Sequence, residues 1–94
     1  MKPNYQYPLF EEWNRDELVK VFKLYQLVED AYELNSGTNC QSLLAAYNDF
    51  KKIIPAKGEQ RTLEREFEHN SGYNIFKCVK AAQNSNRKMF KMNK

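Results

Sequence analysis

The single histidine of this chain, His69, is the residue best suited to acid–base or metal chemistry. Glu66 precedes it in a Glu-x-x-His pattern, which on a helix is the spacing found in di-iron bundles. Such sites need two copies of this motif and two further inward carboxylates. Because the chain has no second histidine, we interpret Glu66 and His69 as a pair on a helix surface and expect no metal or other cofactor.

The two cysteines and three glycines form no stronger chemical motif. Cys40 and Cys78 are too few for a disulfide framework and lack the spacing of a zinc site, so we expect two small buried side chains. Gly37, Gly58 and Gly72 are scattered singly, which argues against a phosphate-binding loop. A catalytic pairing of the histidine with serine or cysteine would have to arise by folding, and no local pattern indicates one. We therefore predict a protein that is not an enzyme.

An acidic cluster, Glu29, Asp30 and Glu33, falls in the last turns of the first predicted helix, where the helix dipole disfavours negative charge. Water or nearby lysines can compensate such charges, which is the simpler interpretation. A local rule broken without an evident gain can also mark a functional surface. The cluster is therefore our candidate partner-binding surface, together with Tyr5 and Tyr7 of the N-terminal segment.

The last eleven residues form a basic tail. The chain carries a net charge of +3, and the tail contributes four cations and no acid, so residues 1–83 are slightly acidic. The weak helix formers at 84–86 predict that the ordered body ends there and that residues 84–94 form a flexible tail. An alternative is weak RNA or ribosome contact by charge and stacking through Arg87, Lys88, Phe90, Lys91 and Lys94.

The helix pattern is clearest after Trp13. Asn14 and Glu17 form a capping-box sequence, and apolar residues then recur every three or four positions. This predicts a helix from about Arg15 to about Asn35, followed by a turn at Gly37. A second helix begins after Thr38 or Asn39 and ends at Pro55, a third covers 57–70, and a fourth runs from about 73 to about 84.

These elements predict one all-α domain, residues 1–83, with four helices in a compact array and an extended segment, residues 1–13, packed across them. Both prolines of that segment disfavour helix there, and its aromatic residues favour burial. The chain has 94 residues and no apolar run long enough to span a membrane, so we expect a cytoplasmic protein. The predicted core comprises Trp13, Leu18, Phe22, Tyr25, Val28, Leu43, Leu44, Tyr47, Phe50, Ile54, Leu63, Phe67, Phe76 and Val79.

The order of several short motifs resembles the YktA-like proteins of low-GC Gram-positive bacteria, a family of small uncharacterised proteins. The motifs span about residues 4–83 and are Tyr5-Gln6-Tyr7-Pro8-Leu9, Tyr47-x-x-Phe50-Lys51, Ile54-Pro55, Leu63-x-x-x-Phe67-Glu68, Ser71-Gly72-Tyr73 and Val79-Lys80-Ala81-Ala82. The resemblance implies a small helical fold and assigns no activity. Two departures are Ala56, where a serine cap is expected, and the longer basic tail. We expect a small non-catalytic protein-interaction module with an unidentified protein partner, or alternatively an RNA-associated protein.

Overall fold

A computed structural model describes Phe10 and residues 12–93 of the chain. In this part of the chain the helices are α1 (Arg15–Glu33), α2 (Cys40–Ile53), α3 (Lys57–Ser71) and α4 (Ile75–Asn84). Two short strands, β1 (Thr38–Asn39) and β2 (Met89–Phe90), pair antiparallel. The predicted all-α class with four helices is confirmed, with this small sheet added. Of the N-terminal segment predicted to lie across the helices, residues 1–9 and 11 lie outside the described residues.

Helix α1 begins as its sequence predicts. The Asn14 side chain accepts a hydrogen bond from the Glu17 amide at 2.9 Å, and Glu17 Oε1 accepts one from the Asn14 amide at 2.9 Å. This reciprocal pair satisfies amides that have no partner within the helix. The helix ends at Glu33, slightly before the predicted end, because Leu34 adopts extended backbone geometry.

Helices α2 and α4 also have asparagine caps, whereas α3 has none. Asn39 accepts from the Ser42 amide at 2.9 Å, and Asn74 accepts from the Lys77 amide at 2.8 Å. At the start of α3, Ala56 has the extended geometry of an N-cap but no side-chain acceptor. The first turn of α3 therefore lacks a capping bond that the other helices have.

We expect Ala56→Ser to raise the free energy of unfolding by about 1 kcal/mol, because a serine Oγ can accept a bond from the first turn of α3. Urea unfolding followed by circular dichroism measures this change. The matched control is Asn39→Ala, which removes the existing cap of α2 and should cost about as much as the serine adds. A serine variant no more stable than the wild type would contradict the expectation.

The core lies between the four helices, and most of the predicted core residues contribute to it. Nine of them are buried: Trp13, Tyr25, Val28, Leu43, Phe50, Ile54, Leu63, Phe67 and Val79. Four others pack against this cluster while half-buried: Leu18, Phe22, Leu44 and Tyr47. In the described part of the chain, no helix is long and apolar enough to cross a membrane.

One core assignment was wrong: Phe76 is 51% exposed. The buried face of α4 consists instead of Ile75, Cys78, Val79 and Ala82. These four residues follow the i, i+3, i+4, i+7 spacing of a helix face, and Phe76 lies outside that face. The sequence pattern assigned the large Phe76 ring to the core, so the predicted buried face of α4 was wrong at that position.

The chain after α4 returns to the helices, so the predicted end of the ordered body near residue 83 is a second correction. The Cys40 amide donates to the Lys88 carbonyl at 2.9 Å, and the Met92 amide donates to the Ala31 carbonyl at 2.7 Å. Phe90 and Met92 pack against the core. The apolar residues within the basic tail therefore attach it to the junction of α1 and α2. Lys94 lies outside the described residues.

Candidate functional site

A groove of about 310 Å³ lies where α2, α3 and α4 meet. Its rim carries four cations, one from α2, two from α3 and one from α4: Lys51, Lys57, Arg61 and Lys80. A single carboxylate, Glu64, also lines it, as do the aromatic rings of Tyr47 and Phe76. We call this surface, defined by these seven residues, the basic groove. Its excess of cations favours an anionic ligand.

Two of the cations lie over the two aromatic rings. Lys51 Nζ is 5.1 Å from the centre of the Tyr47 ring, and Lys80 Nζ is 5.4 Å from the centre of the Phe76 ring. Each pair is separated by four positions on one helix, which places both side chains on the same face. The negative face of each ring attracts the ammonium group. Both ammonium groups therefore lie beside the aromatic rings that line the groove.

Tyr47 and Glu64 connect α2 to α3 inside the groove. The Tyr47 hydroxyl donates to Glu64 Oε2 at 3.4 Å. Burial raises the pKa of the Glu64 carboxyl, while the Tyr47 hydrogen bond and the Arg61 charge oppose that shift. Burial, with the charge of Glu64, raises the pKa of Tyr47 to about 12. Tyr47 is thus a neutral hydrogen-bond donor at physiological pH.

The histidine lies apart from the groove. His69 and Glu66 are both exposed on α3, which confirms that they are a surface pair. Neither residue lines the groove. Among residues 10 and 12–93, no group of three or more histidine, cysteine or acidic side chains is arranged to hold a metal ion.

Both cysteines are free and buried, as predicted. The Cys40 thiol donates to the Arg87 carbonyl at 3.2 Å, which ties the start of α2 to the returning tail. Burial, with a smaller contribution from Cys40, raises the pKa of Cys78 to about 12. A thiol that stays protonated is a poor nucleophile. Cys78 therefore acts as a core side chain.

The acidic cluster does not form one exposed patch. Glu29 is only 3% exposed, so it cannot serve as the surface contact that the sequence suggested. Glu33 Oε2 accepts a hydrogen bond from the Tyr73 hydroxyl at 2.6 Å, and Tyr73 in turn stacks on Tyr32 with ring centres 4.5 Å apart. Glu33 therefore connects the end of α1 to the segment before α4. Asp30 is half-buried.

The other predicted contact residues are only partly described. Tyr5 and Tyr7 lie outside the described residues. Arg87, Lys88 and Lys91 are exposed, whereas Phe90 is half-buried against the core. A ring packed in this way is not a free platform on which a base can stack.

Sequence reasoning missed the basic groove because its cations come from three separate helices. Only Lys51 has a like charge next to it in the sequence, Lys52, and the other three cations each have the pattern of an ordinary solvated residue. The available signal was the aromatic–lysine pair at i and i+4, which occurs as Tyr47–Lys51 and Phe76–Lys80. The same spacing also occurs outside the groove, as Tyr73–Lys77 and Phe90–Lys94. Recognising it required knowing that Phe76 is exposed.

Fold and groove together define a small helical protein with a basic, aromatic-lined surface. The model of an uncharacterised protein family, UPF0223, matches residues 4–91, and the chain belongs to that family. The resemblance to YktA-like proteins is thereby confirmed.

Three relatives illustrate the match. The UPF0223 protein YktA of Bacillus subtilis is 43% identical over 88 residues, which cover 94% of this chain and 98% of the relative. A UPF0223 protein of Lactiplantibacillus plantarum is 48% identical over 88 residues, 93% of this chain and 88% of the relative. One of Streptococcus gordonii is 40% identical over 94 residues, the full length of both chains.

Proposed function

We propose that this protein is a non-catalytic interaction module that binds an acidic segment of another protein in the basic groove. The observation that carries the proposal is the pair of ammonium groups held over aromatic rings, Lys51 over Tyr47 and Lys80 over Phe76. Ligand carboxylates can bind these ammonium groups. The half-exposed Phe76 ring offers apolar area beside them.

The same geometry favours a protein ligand over RNA. Single-stranded RNA binds proteins by stacking its bases on open aromatic faces. In the basic groove, one face of each ring is occupied by a lysine ammonium, and Phe90 of the tail packs against the core. Acidic side chains with apolar neighbours fit this surface better than bases do.

The groove volume of about 310 Å³ suits one or two side chains of a peptide. Arginine and aromatic residues are also typical of the centres of protein interfaces. The ligand we propose is therefore a short segment in which acidic residues flank an apolar one.

A double charge reversal tests this proposal. The probe is a short fluorescent peptide of alternating glutamate and leucine, and its affinity is measured by fluorescence anisotropy. We expect Lys51→Glu with Lys80→Glu to weaken binding about thirtyfold, because each reversal removes or opposes an attraction worth about 1 kcal/mol. The matched control is Lys52→Glu with Lys77→Glu, which makes the same charge change on the same two helices outside the groove.

Equal weakening by both double variants would mean that only net charge matters, and the proposed site would be lost. Single-stranded RNA of similar length serves as the competing ligand. If RNA bound more tightly than the peptide and lost that binding in the groove variant alone, the protein-ligand proposal would be replaced by the nucleic-acid alternative.

A cytoplasmic location is part of the same proposal. Cys40 and Cys78 are both free. Free cysteines are the usual state in a reducing compartment.

A further inference from the structure

Glu64 is the one acidic residue among the side chains that line the basic groove in the described structure. It is half-buried on α3, and its Oε2 accepts the hydrogen bond from the Tyr47 hydroxyl at 3.4 Å. The surrounding charges are Lys51 from α2, Lys57 and Arg61 from α3, and Lys80 from α4. The Glu64 carboxylate thus lies on the same surface as the cations that a ligand acid would bind, and the charge of Arg61 acts on it.

We infer that Glu64 determines the specificity of the groove by acting as a built-in counter-ion that ligand carboxylates must compete with. This inference rests on the proposed function. An ionised Glu64 partly neutralises the groove cations and repels an incoming acid. A ligand with a single carboxylate gains little binding free energy while Glu64 is ionised. A ligand with several carboxylates can contact the outer lysines and overcome the repulsion, so the groove selects polyacidic segments over singly acidic ones.

This arrangement makes ligand binding dependent on pH in one direction. The titratable and charged groups around Glu64 are the Tyr47 hydroxyl, which stays protonated, Tyr25 of α1, and the four groove cations. Arg65 and Glu68 of α3 line the adjoining cavity with it. Because burial raises the pKa of Glu64, its carboxyl takes up a proton at a higher pH than an exposed glutamate does. Acidification therefore removes the repelling charge and strengthens binding.

The experiment compares Glu64→Gln with Glu66→Gln, since both remove one acid from α3 but only Glu64 lines the groove. Glutamine can still accept the Tyr47 hydrogen bond, so the fold should be retained. All proteins carry His69→Gln, which removes the only imidazole. Affinity for the glutamate–leucine peptide is measured at about pH 7.5 and about pH 5.5, where the carboxylates of the peptide remain mostly ionised.

We expect Glu64→Gln to bind the peptide about fivefold more tightly than Glu66→Gln at the higher pH. The Glu66→Gln protein should gain affinity at the lower pH, and the Glu64→Gln protein should not. A peptide with one glutamate should benefit most from the Glu64 change.

Two results would overturn the inference, and only one of them would also overturn the proposed function. If both variants bind equally and respond equally to pH, Glu64 has no such role, while the proposed function stands. If no protein in the set binds the peptide at either pH, the proposed function fails and the role of Glu64 fails with it.

Discussion

Replacing Phe67 by alanine should lower the free energy of unfolding by about 3–5 kcal/mol. The Phe67 ring is fully buried and stacks on Tyr25, with ring centres 4.7 Å apart and an interplanar angle of 15°. Helix α3 buries only two large apolar side chains, Leu63 and Phe67. The alanine variant loses both the apolar contact and the stacking, and leaves a cavity that the helices fill only partly.

Chemical denaturation measures this loss, and the matched control is Phe76→Ala. That change removes the same atoms from a ring that is 51% exposed. It should therefore cost less than about 1 kcal/mol. If the alanine variant of Phe67 does not fold, Phe67→Leu supplies a smaller change, about 1–2 kcal/mol, by which to rank the two sites. Equal losses at positions 67 and 76 would contradict the packing described for α3 and α4.

Gly37→Ala should destabilise the protein by about 2–4 kcal/mol and release strand β2 from β1. Gly37 has a φ of +72°, a left-handed conformation that costs other residues about 1–2 kcal/mol. A Cβ at this position would also lie only 2.7 Å from the backbone carbonyl carbon of Phe90. Backbone must move to relieve this overlap, and the movable backbone is the returning tail.

Thermal unfolding and hydrogen exchange together measure both effects. The Cys40 and Met92 amides, which donate to Lys88 and Ala31, should lose protection in the variant. Gly58→Ala is the control, because a Cβ there has no heavy atom within 4 Å. It should stabilise α3 by about 0.5 kcal/mol. Unchanged protection at Cys40 and Met92 in the Gly37 variant would show that the tail is held differently.

The helices were predictable because their signals are local. The Asn14–Glu17 capping box lies within one turn of chain, and the buried stripes of α1 and α2 follow the helical repeat directly. In α3, the stripe of Leu63 and Phe67 was also correct. The roles of these residues as caps or buried positions follow from the residues near them in the sequence, so they can be recognised without knowing the fold.

The errors occurred where distant segments meet. A strand of two residues, Met89 and Phe90, is too short to show a period, and its partner lies about fifty residues earlier. The burial of Glu29 and the bond between Glu33 and Tyr73 depend on how α1 packs, which its own charge pattern does not reveal. The acidic cluster therefore looked exposed in the sequence.

The basic groove shows the same limitation for function. Tyr47 and Lys51 on α2 become part of one surface with Phe76 and Lys80 only when α4 is placed beside α2. The register error in α4, which assigned Phe76 to the core, hid one of the two aromatic–lysine pairs. If Ile75 instead of Phe76 had been assigned to the core, Phe76 and Lys80 would have been predicted to lie together on the surface.

A nitrogen-15 NMR titration of the protein with the glutamate–leucine peptide locates the binding site residue by residue. We predict that the largest shift changes lie at Tyr47, Lys51, Phe76 and Lys80, and that the same peptide with glutamine in place of glutamate leaves them unchanged. Changes centred instead on the exposed tail cations around Arg87 and Lys91, with the groove residues unmoved, would contradict the assignment of the basic groove as the binding site.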